Sequence, residues 1–194
     1  VTLHKGKYVR AENIDLDMNT SIRELEPEEP YKYLGIEECV GVKHKQMKEK
    51  VKNEYVRRIR AVLKTDLSAK NKILAICSLA IPVLQYGFGT LNWKLTEIRA
   101  LDMKTRKYLT MYRLHHPSAD KDRLYVSRNH GGRGLRQIED AYKSTVLNSK
   151  YYLKEKAAVD PFLKAVQKSD AKRNAAESIR KEAGKYEREL AEDF

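Results

Sequence analysis

Histidines and aspartates cluster near the middle of this chain, where residues of these types could ligate a metal ion. His115 and His116 are followed by Asp120, Asp122 and His130. Their spacing matches none of the common zinc or calcium patterns, and adjacent residues on an extended chain point to opposite sides. We therefore expect a loop that packs and hydrogen-bonds its own polar groups, and no metal site.

A glycine-rich turn at residues 131–135 leads into a predicted helix. Such a turn can present backbone N–H groups to a phosphate at a helix N-terminus, and Arg133 adds a positive charge. The turn lacks the lysine and the spacing of a nucleotide-binding P-loop. Two interpretations stay open: a contact to a nucleic-acid backbone, or a tight connector.

No catalytic arrangement is evident in the sequence. Asp102 falls within a predicted helix near its apolar stripe, where an interhelical hydrogen bond explains it better than acid–base chemistry. No serine sits in a nucleophile elbow, and no pair of carboxylates stands in a metal-binding strand context. We therefore assign no catalytic residue.

Positive charge is concentrated in the second part of the chain. The 194 residues carry a net charge of +12. Residues 1–40 hold five Lys and Arg against nine Asp and Glu, a charge of −4, so residues 41–194 carry +16. This distribution indicates a polyanionic partner, nucleic acid before an anionic membrane surface. The alternative is a highly charged helical protein whose cations only keep it soluble.

Cysteine usage and the lack of a visible secretory signal favour a reducing, intracellular compartment. The two cysteines, Cys39 and Cys77, make no disulfide framework, and Cys77 is predicted to be buried. The apolar stretch at residues 73–91 is interrupted by Pro82 and two glycines, which predicts a buried, broken helix and no membrane partner. The chain begins at Val1, not at Met, which suggests a piece of a longer protein.

Two hairpins are predicted in the acidic N-terminal region. The first has Leu3 and Tyr8 on its arms and a turn at Gly6. The second covers residues 21–36, with its turn at residues 26–30, because two prolines cannot continue a sheet ladder.

The remainder is predicted to be helical, beginning with a helix over residues 44–65. Its apolar stripe consists of Met47, Val51, Tyr55, Ile59 and Val62. Candidate phosphate-binding cations lie on the opposite side or flank the helix: Lys43, Lys50, Arg57, Arg60 and Lys64, then Lys70 and Lys72 in the next helix.

Capping residues and helix-breaking prolines predict where the later helices begin and end. Ser68 is the predicted N-cap of the second helix, Pro82 should kink or end it near Ile81, and Thr96 should cap the third. A fourth helix follows the glycine turn, and Pro161 opens a short segment. The last helix, at about 170–192, needs a partner surface or a further part of the protein to pack on. The predicted fold is mainly α, a helical bundle with a small N-terminal β-hairpin element.

In order along the chain, these segments resemble the C-terminal part of the reverse transcriptase of a non-long-terminal-repeat (LINE-type) retrotransposon. Residues 31–36, Tyr-Lys-Tyr-Leu-Gly-Ile, are similar to the hairpin that closes the palm and grips the primer end. The resemblance implies primer-grip-like roles for Tyr31, Tyr33, Leu34 and Gly35. Further matching segments resemble the thumb and the region beyond it: residues 70–73, 80–86, 102–107, 115–117, 122–125 and 131–135.

The same resemblance implies three regions. Residues 1–40 would be the end of the palm with the primer-grip-like hairpin. Residues 41–113 would be a thumb-like helical bundle, and residues 114–194 a connector with C-terminal helices.

Polymerases of this family carry catalytic aspartates, including a Tyr-x-Asp-Asp turn, upstream of that hairpin, and no Asp-Asp pair occurs in this chain. We therefore expect no polymerase activity from the chain alone and no cofactor in it, with Mg²⁺ held by an upstream palm. The implied partners are an RNA–DNA or DNA duplex and the upstream palm and fingers of the same polyprotein, in the nucleus. The alternatives are a free-standing basic RNA- or DNA-binding module and a non-enzymatic scaffold.

Overall fold

The computed structural model describes residues 2–4, 7–9, 14–17, 20–22, 29, 31–33, 35–38, 43–172 and 178–192. By compactness the chain divides into two units, residues 1–49 and 50–194. In the described part, strands lie only in the first unit and helices make up most of the second. A mainly α fold with a small N-terminal β element is therefore confirmed.

The first predicted hairpin is confirmed. β1 (Thr2–His4) pairs antiparallel with β2 (Lys7–Val9), and Leu3 lies opposite Tyr8. The predicted turn residue Gly6 lies outside the described residues.

The second predicted hairpin is wrong, because two separate hairpins occupy this region. β3 (Ile14–Asp17) pairs with β4 (Thr20–Ile22), and β5 (Tyr31–Tyr33) pairs with β6 (Ile36–Glu38). Gly35, with φ of 84°, lies in the two-residue connection between β5 and β6, where a left-handed residue reverses the chain. The predicted turn was placed at the prolines, whereas the reversal takes place at the glycine.

The helices follow the predicted order. Their bounds are α1 (His44–Lys64), α2 (Ala69–Ala75), α3 (Ile81–Phe88), α4 (Leu95–Met111), α5 (Asp122–Tyr125), α6 (Ile138–Lys156), α7 (Pro161–Lys172) and α8 (Ile179–Glu192). A π-helical segment, Ile76–Ala80, joins α2 to α3, and a 3₁₀ turn, Arg128–His130, follows α5. The hydroxyl of Ser68 accepts from the N–H of Asn71 at 3.4 Å, which confirms the predicted N-cap.

Pro82 changes the geometry of its helix but does not end it. The N–H of Ile81 donates to the carbonyl of Ile76, five residues back, and the helix continues through α3. The wider π turn accommodates a residue that has no N–H and whose ring crowds the preceding turn.

One side of the helix containing Pro82 is exposed, although the sequence predicted a buried helix here. Ile76 and Leu84 are fully buried, but Leu74, Leu79 and Tyr86 are each more than half exposed. Taken as one helix, Ala69–Phe88 has a mean hydropathy of 1.3 and is long and apolar enough to cross a membrane by length and composition alone. Core helices of soluble proteins meet the same criterion.

Edge-to-face aromatic contacts tie α3, α6 and α8 into one core. The ring of Phe88 lies 6.0 Å from that of Trp93 and 5.2 Å from that of Tyr142. Tyr142 in turn lies 6.4 Å from Tyr186 of α8. The last helix therefore has the partner surface that its weak apolar content required.

Three local predictions need correction. The third helix begins at Leu95, not after a Thr96 cap, because the Glu97 carboxylate accepts from the N–H of Lys94 at 3.0 Å. Residues 170–172 belong to α7 and α8 starts only at Ile179, so the last helix is shorter than predicted. Cys77 is half-buried, since its sulfur lies close to the exposed turn at Gly134.

Candidate nucleic-acid interface

The exposed side of α1 carries a row of cations, here called the α1 cationic face: Lys50, Arg57, Arg60 and Lys64. All four side chains are exposed, while Tyr55 on the opposite side is 1% exposed. At about 1.5 Å of rise per residue, the face runs for about 21 Å. The predicted separation of a core side from a cationic side is confirmed for this helix.

Two side chains, one buried and one at the edge of the apolar stripe, fix the position of α1. The hydroxyl groups of Tyr55 and Thr105 are hydrogen-bonded at 2.7 Å in the core, which ties α1 to α4. Burial raises the pKa of Tyr55, so its hydroxyl stays protonated. Arg58 Nη1 donates to the carbonyl of Leu79 at 2.8 Å, which ties α1 to the helix containing Pro82. The face is therefore presented by an anchored helix.

Glu54 offsets part of the positive charge on α1. Its carboxylate accepts two hydrogen bonds from Arg57, at 2.7 and 2.8 Å, and one from Arg58 at 2.7 Å. Hydrogen bonds from Arg57 and then Arg58 lower the pKa of Glu54 to about 2. Two guanidinium groups thus share one carboxylate, and the cluster keeps a net charge of about +1.

Arg60 and Lys64 are the cations of this face that are most available to a ligand. Both are exposed, and neither has an acidic hydrogen-bonding partner in the described ranges. They lie one helical turn apart, at the spacing that places two side chains side by side. A polyanion that approaches α1 would meet these two residues without displacing a carboxylate.

The remaining predicted cations are more dispersed. Lys70 is exposed in the first turn of α2, whereas Lys72 is half-buried and donates to the carbonyl of Leu63 at 3.0 Å. Lys72 thereby satisfies one of the last carbonyl groups of α1. Lys43 is half-buried in the first unit, where its N–H donates to the carbonyl of Glu37 at 3.4 Å.

The glycine turn has the geometry of a tight connector. The backbone N–H groups of residues 131–135 donate to carbonyl groups of residues 123–128, at 2.8 to 3.1 Å. A side chain at Gly132 would lie 1.9 Å from the carbonyl oxygen of Val126, so only glycine fits there. Because these N–H groups have partners, the turn offers no ready cradle for a phosphate.

Arg133 acts as a link within the same region. Its Nη1 donates to the carbonyl of Leu114 at 2.7 Å, and the residue is half-buried. A contact from Arg133 to nucleic acid stays a prediction, and it would have to share the guanidinium with this bond.

The polar side chains of the histidine segment bond locally, as expected. His116 Nδ1 accepts from the N–H of Ser118 at 3.2 Å, and Asp120 accepts from the N–H of Asp122 at 3.0 Å. His130 Nδ1 and the hydroxyl of Ser127 are 2.8 Å apart. Within the described ranges, no three His, Cys, Asp or Glu residues come together as a potential metal site.

Of the residues with a predicted primer-grip-like role, Tyr31, Tyr33 and Gly35 lie on the β5–β6 hairpin of the first unit. Tyr31 is 55% exposed, Tyr33 lies opposite Ile36 in the ladder, and Gly35 forms the turn. Leu34 lies outside the described residues. The exposed Tyr31 ring is available for a contact with a ligand.

Two features of the interface were not predicted from the sequence. Arg58 lies at the edge of the apolar stripe, and its bond to Leu79 depends on how two helices pack. The ion pairs of Glu54 were not predicted either, although its spacing of three and four residues from Arg57 and Arg58 is the usual signal for ion pairs on a helix. No family model, curated protein or solved structure matches the chain, so charge and geometry are what bear on its function.

Proposed function

We propose that this chain is the nucleic-acid-binding portion of a LINE-type retrotransposon reverse transcriptase, and that the α1 cationic face grips the primer–template duplex. The observation that carries the proposal is the row of four exposed cations along one side of an anchored helix. The ordered sequence resemblance supplies the family.

A duplex grip requires charge and shape but little base recognition. Phosphate contacts from Lys and Arg fix register and orientation without reading sequence. One strand of duplex DNA carries a phosphate per about 3.4 Å of helix axis, so a face of about 21 Å can meet several phosphates. RNA–DNA hybrids resemble A-form duplexes, which are recognised by shape across a wide minor groove.

In this proposal the β5–β6 hairpin contacts the primer end through Tyr31. Catalysis and Mg²⁺ belong to an upstream palm and fingers, because no Asp-Asp pair occurs here. The chain alone therefore binds the duplex and does not polymerise. The family resemblance further implies work on DNA in the nucleus.

Salt-dependent binding tests the proposal. The full chain and its Arg60→Gln/Lys64→Gln variant are titrated against a labelled RNA–DNA hybrid at several salt concentrations, with fluorescence anisotropy as the readout. Each lost phosphate contact removes about 0.9 from the slope of log affinity against log salt on duplex DNA, so the variant should lose about 2. Glutamine keeps much of the apolar stem, so packing losses stay small.

A charge-matched variant serves as the control. Lys104→Gln/Lys107→Gln removes two exposed cations of α4 and should keep most of the slope. Equal losses in both variants would mean that only total charge matters. No binding of the wild-type chain at low salt would favour a scaffold whose cations serve solubility.

A further inference from the structure

A second concentration of cations surrounds a cleft between the C-terminal helices. The cleft has a volume of about 520 Å³, within the usual range of ligand sites, about 300–1,000 Å³. Its charged rim comprises Lys150 and Lys154 of α6, Lys168 of α7 and Arg180 of α8. These residues come from three helices and are distinct from those of the α1 cationic face.

Two carboxylates beside the cleft, those of Asp170 and Glu187, already have partners. Asp170 lines the cleft, but its carboxylate accepts from the hydroxyl of Ser178 at 2.9 Å and from the N–H of Arg180 at 3.2 Å. Glu187 forms an ion pair with Lys150. Both carboxylates thus have their own partners.

Three cations of the cleft rim are available to bind an anion. Lys154, Lys168 and Arg180 are exposed, and in the described part of the chain none has a hydrogen-bonded acidic partner. Hydrogen bonds from Lys150 and Tyr151 lower the pKa of Glu187, and the nearby charge of Lys154 adds a smaller contribution, so a weak field of opposite sign does reach Lys154. Three convergent positive charges in a concave site attract an anion, because low-dielectric walls focus their field.

The site is also held in place before any ligand binds. The hydroxyl of Ser178 accepts from the N–H of Lys181 at 3.2 Å and caps the start of α8. Asp170 fixes that cap from α7. Less ordering is then needed on binding, which favours affinity.

We propose that this cleft binds the phosphodiester backbone of a single nucleic-acid strand, as a second site beside the α1 cationic face. The proposal rests on the proposed function, since it takes the same class of ligand. A cleft of about 520 Å³ is the size of a small-ligand site, which can hold a short length of one backbone but not a duplex. In a primer–template complex, the natural occupant is the unpaired part of the template or of a displaced strand.

The test compares two charge-matched variants of the full chain on a labelled single-stranded oligonucleotide. Lys154→Gln/Lys168→Gln removes two rim cations, and Lys156→Gln/Lys164→Gln removes two exposed cations from the same two helices outside the cleft. Single strands lose about 0.7 of salt slope per phosphate contact. The cleft variant should therefore lose about 1.4, and the control should keep the wild-type slope.

The outcomes separate this site from the duplex grip. Wild-type salt slopes in both variants, or equal losses of slope in both, would overturn the proposal that the cleft binds a single strand. If Arg60→Gln/Lys64→Gln weakens duplex binding while the cleft variant leaves single-strand binding unchanged, the duplex grip is supported and the cleft proposal is wrong. If the cleft variant binds the single strand more weakly while the α1 variant binds the duplex as wild type does, the cleft proposal is supported and the duplex grip is wrong.

Discussion

Asp102 is a buried carboxylate with a structural role. Its two oxygens accept from the N–H groups of Ile138 and Glu139, at 3.0 and 3.1 Å, so a residue of α4 caps the start of α6. Burial raises the pKa of Asp102, and the two backbone hydrogen bonds oppose that shift. The interhelical hydrogen bond expected from the sequence is thus present, and it satisfies the first donors of a helix.

We expect Asp102→Ala to lower the free energy of unfolding by about 1–3 kcal/mol, because it leaves one buried and one half-buried donor without an acceptor. Asp102→Asn keeps one carbonyl oxygen and should cost less. Urea unfolding measures both, with the exposed Asp66→Ala as a control expected within about 0.5 kcal/mol of wild type. A loss for Asp102→Ala no larger than that of the control would show that the cap contributes nothing.

At the scale of elements, local patterns could be predicted and long-range pairings could not. The bounds and the core side of α1 follow from a stripe repeating every three to four residues, which is a property of the helix alone. The prediction of a hairpin over residues 21–36 was wrong because both the prolines and Gly35 favour a chain reversal, and the sequence alone does not show which of them connects two paired strands. The bond from Arg58 to Leu79 and the cleft rim join residues far apart in sequence or on different helices, and no periodicity indicates them.

The ion pairs of Glu54 on α1 predict a variant with higher affinity for nucleic acid. Since the pKa of Glu54 is about 2, its carboxylate is ionised at neutral pH and holds Arg57 on the helix surface. Glu54→Gln should release that guanidinium, raise the affinity for an RNA–DNA hybrid and steepen the salt slope by about 1. The measurement is the same anisotropy titration.

A matched acid on another helix controls for total charge. Glu155→Gln removes an exposed carboxylate from α6 and should change duplex binding less. Equal gains in affinity in the two variants would show that α1 does not contact the duplex. A loss of affinity in Glu54→Gln would contradict the role assigned to Arg57.

At the scale of the whole molecule, the second unit depends on α8 joining a shared core. A 14-residue helix is marginal in water by itself, so its stability must come from packing. Tyr186 is 3% exposed, meets Tyr142 edge to face and donates from its hydroxyl to Glu182 at 2.7 Å. Tyr142 donates to the same carboxylate at 2.7 Å, so Glu182 joins the two rings from the α8 side.

If α8 unfolds together with the rest of this unit, Tyr186→Ala should lower its global stability by about 3–5 kcal/mol, the usual cost of truncating a buried aromatic side chain. Tyr186→Phe should cost only about 1 kcal/mol, because it removes a hydroxyl and keeps the ring. Hydrogen exchange monitored in both α4 and α8 measures this, and the exposed Tyr152→Ala is the control. A loss of protection confined to α8 would show that the helix opens independently, and the cleft beside it would then not be held in place before a strand binds.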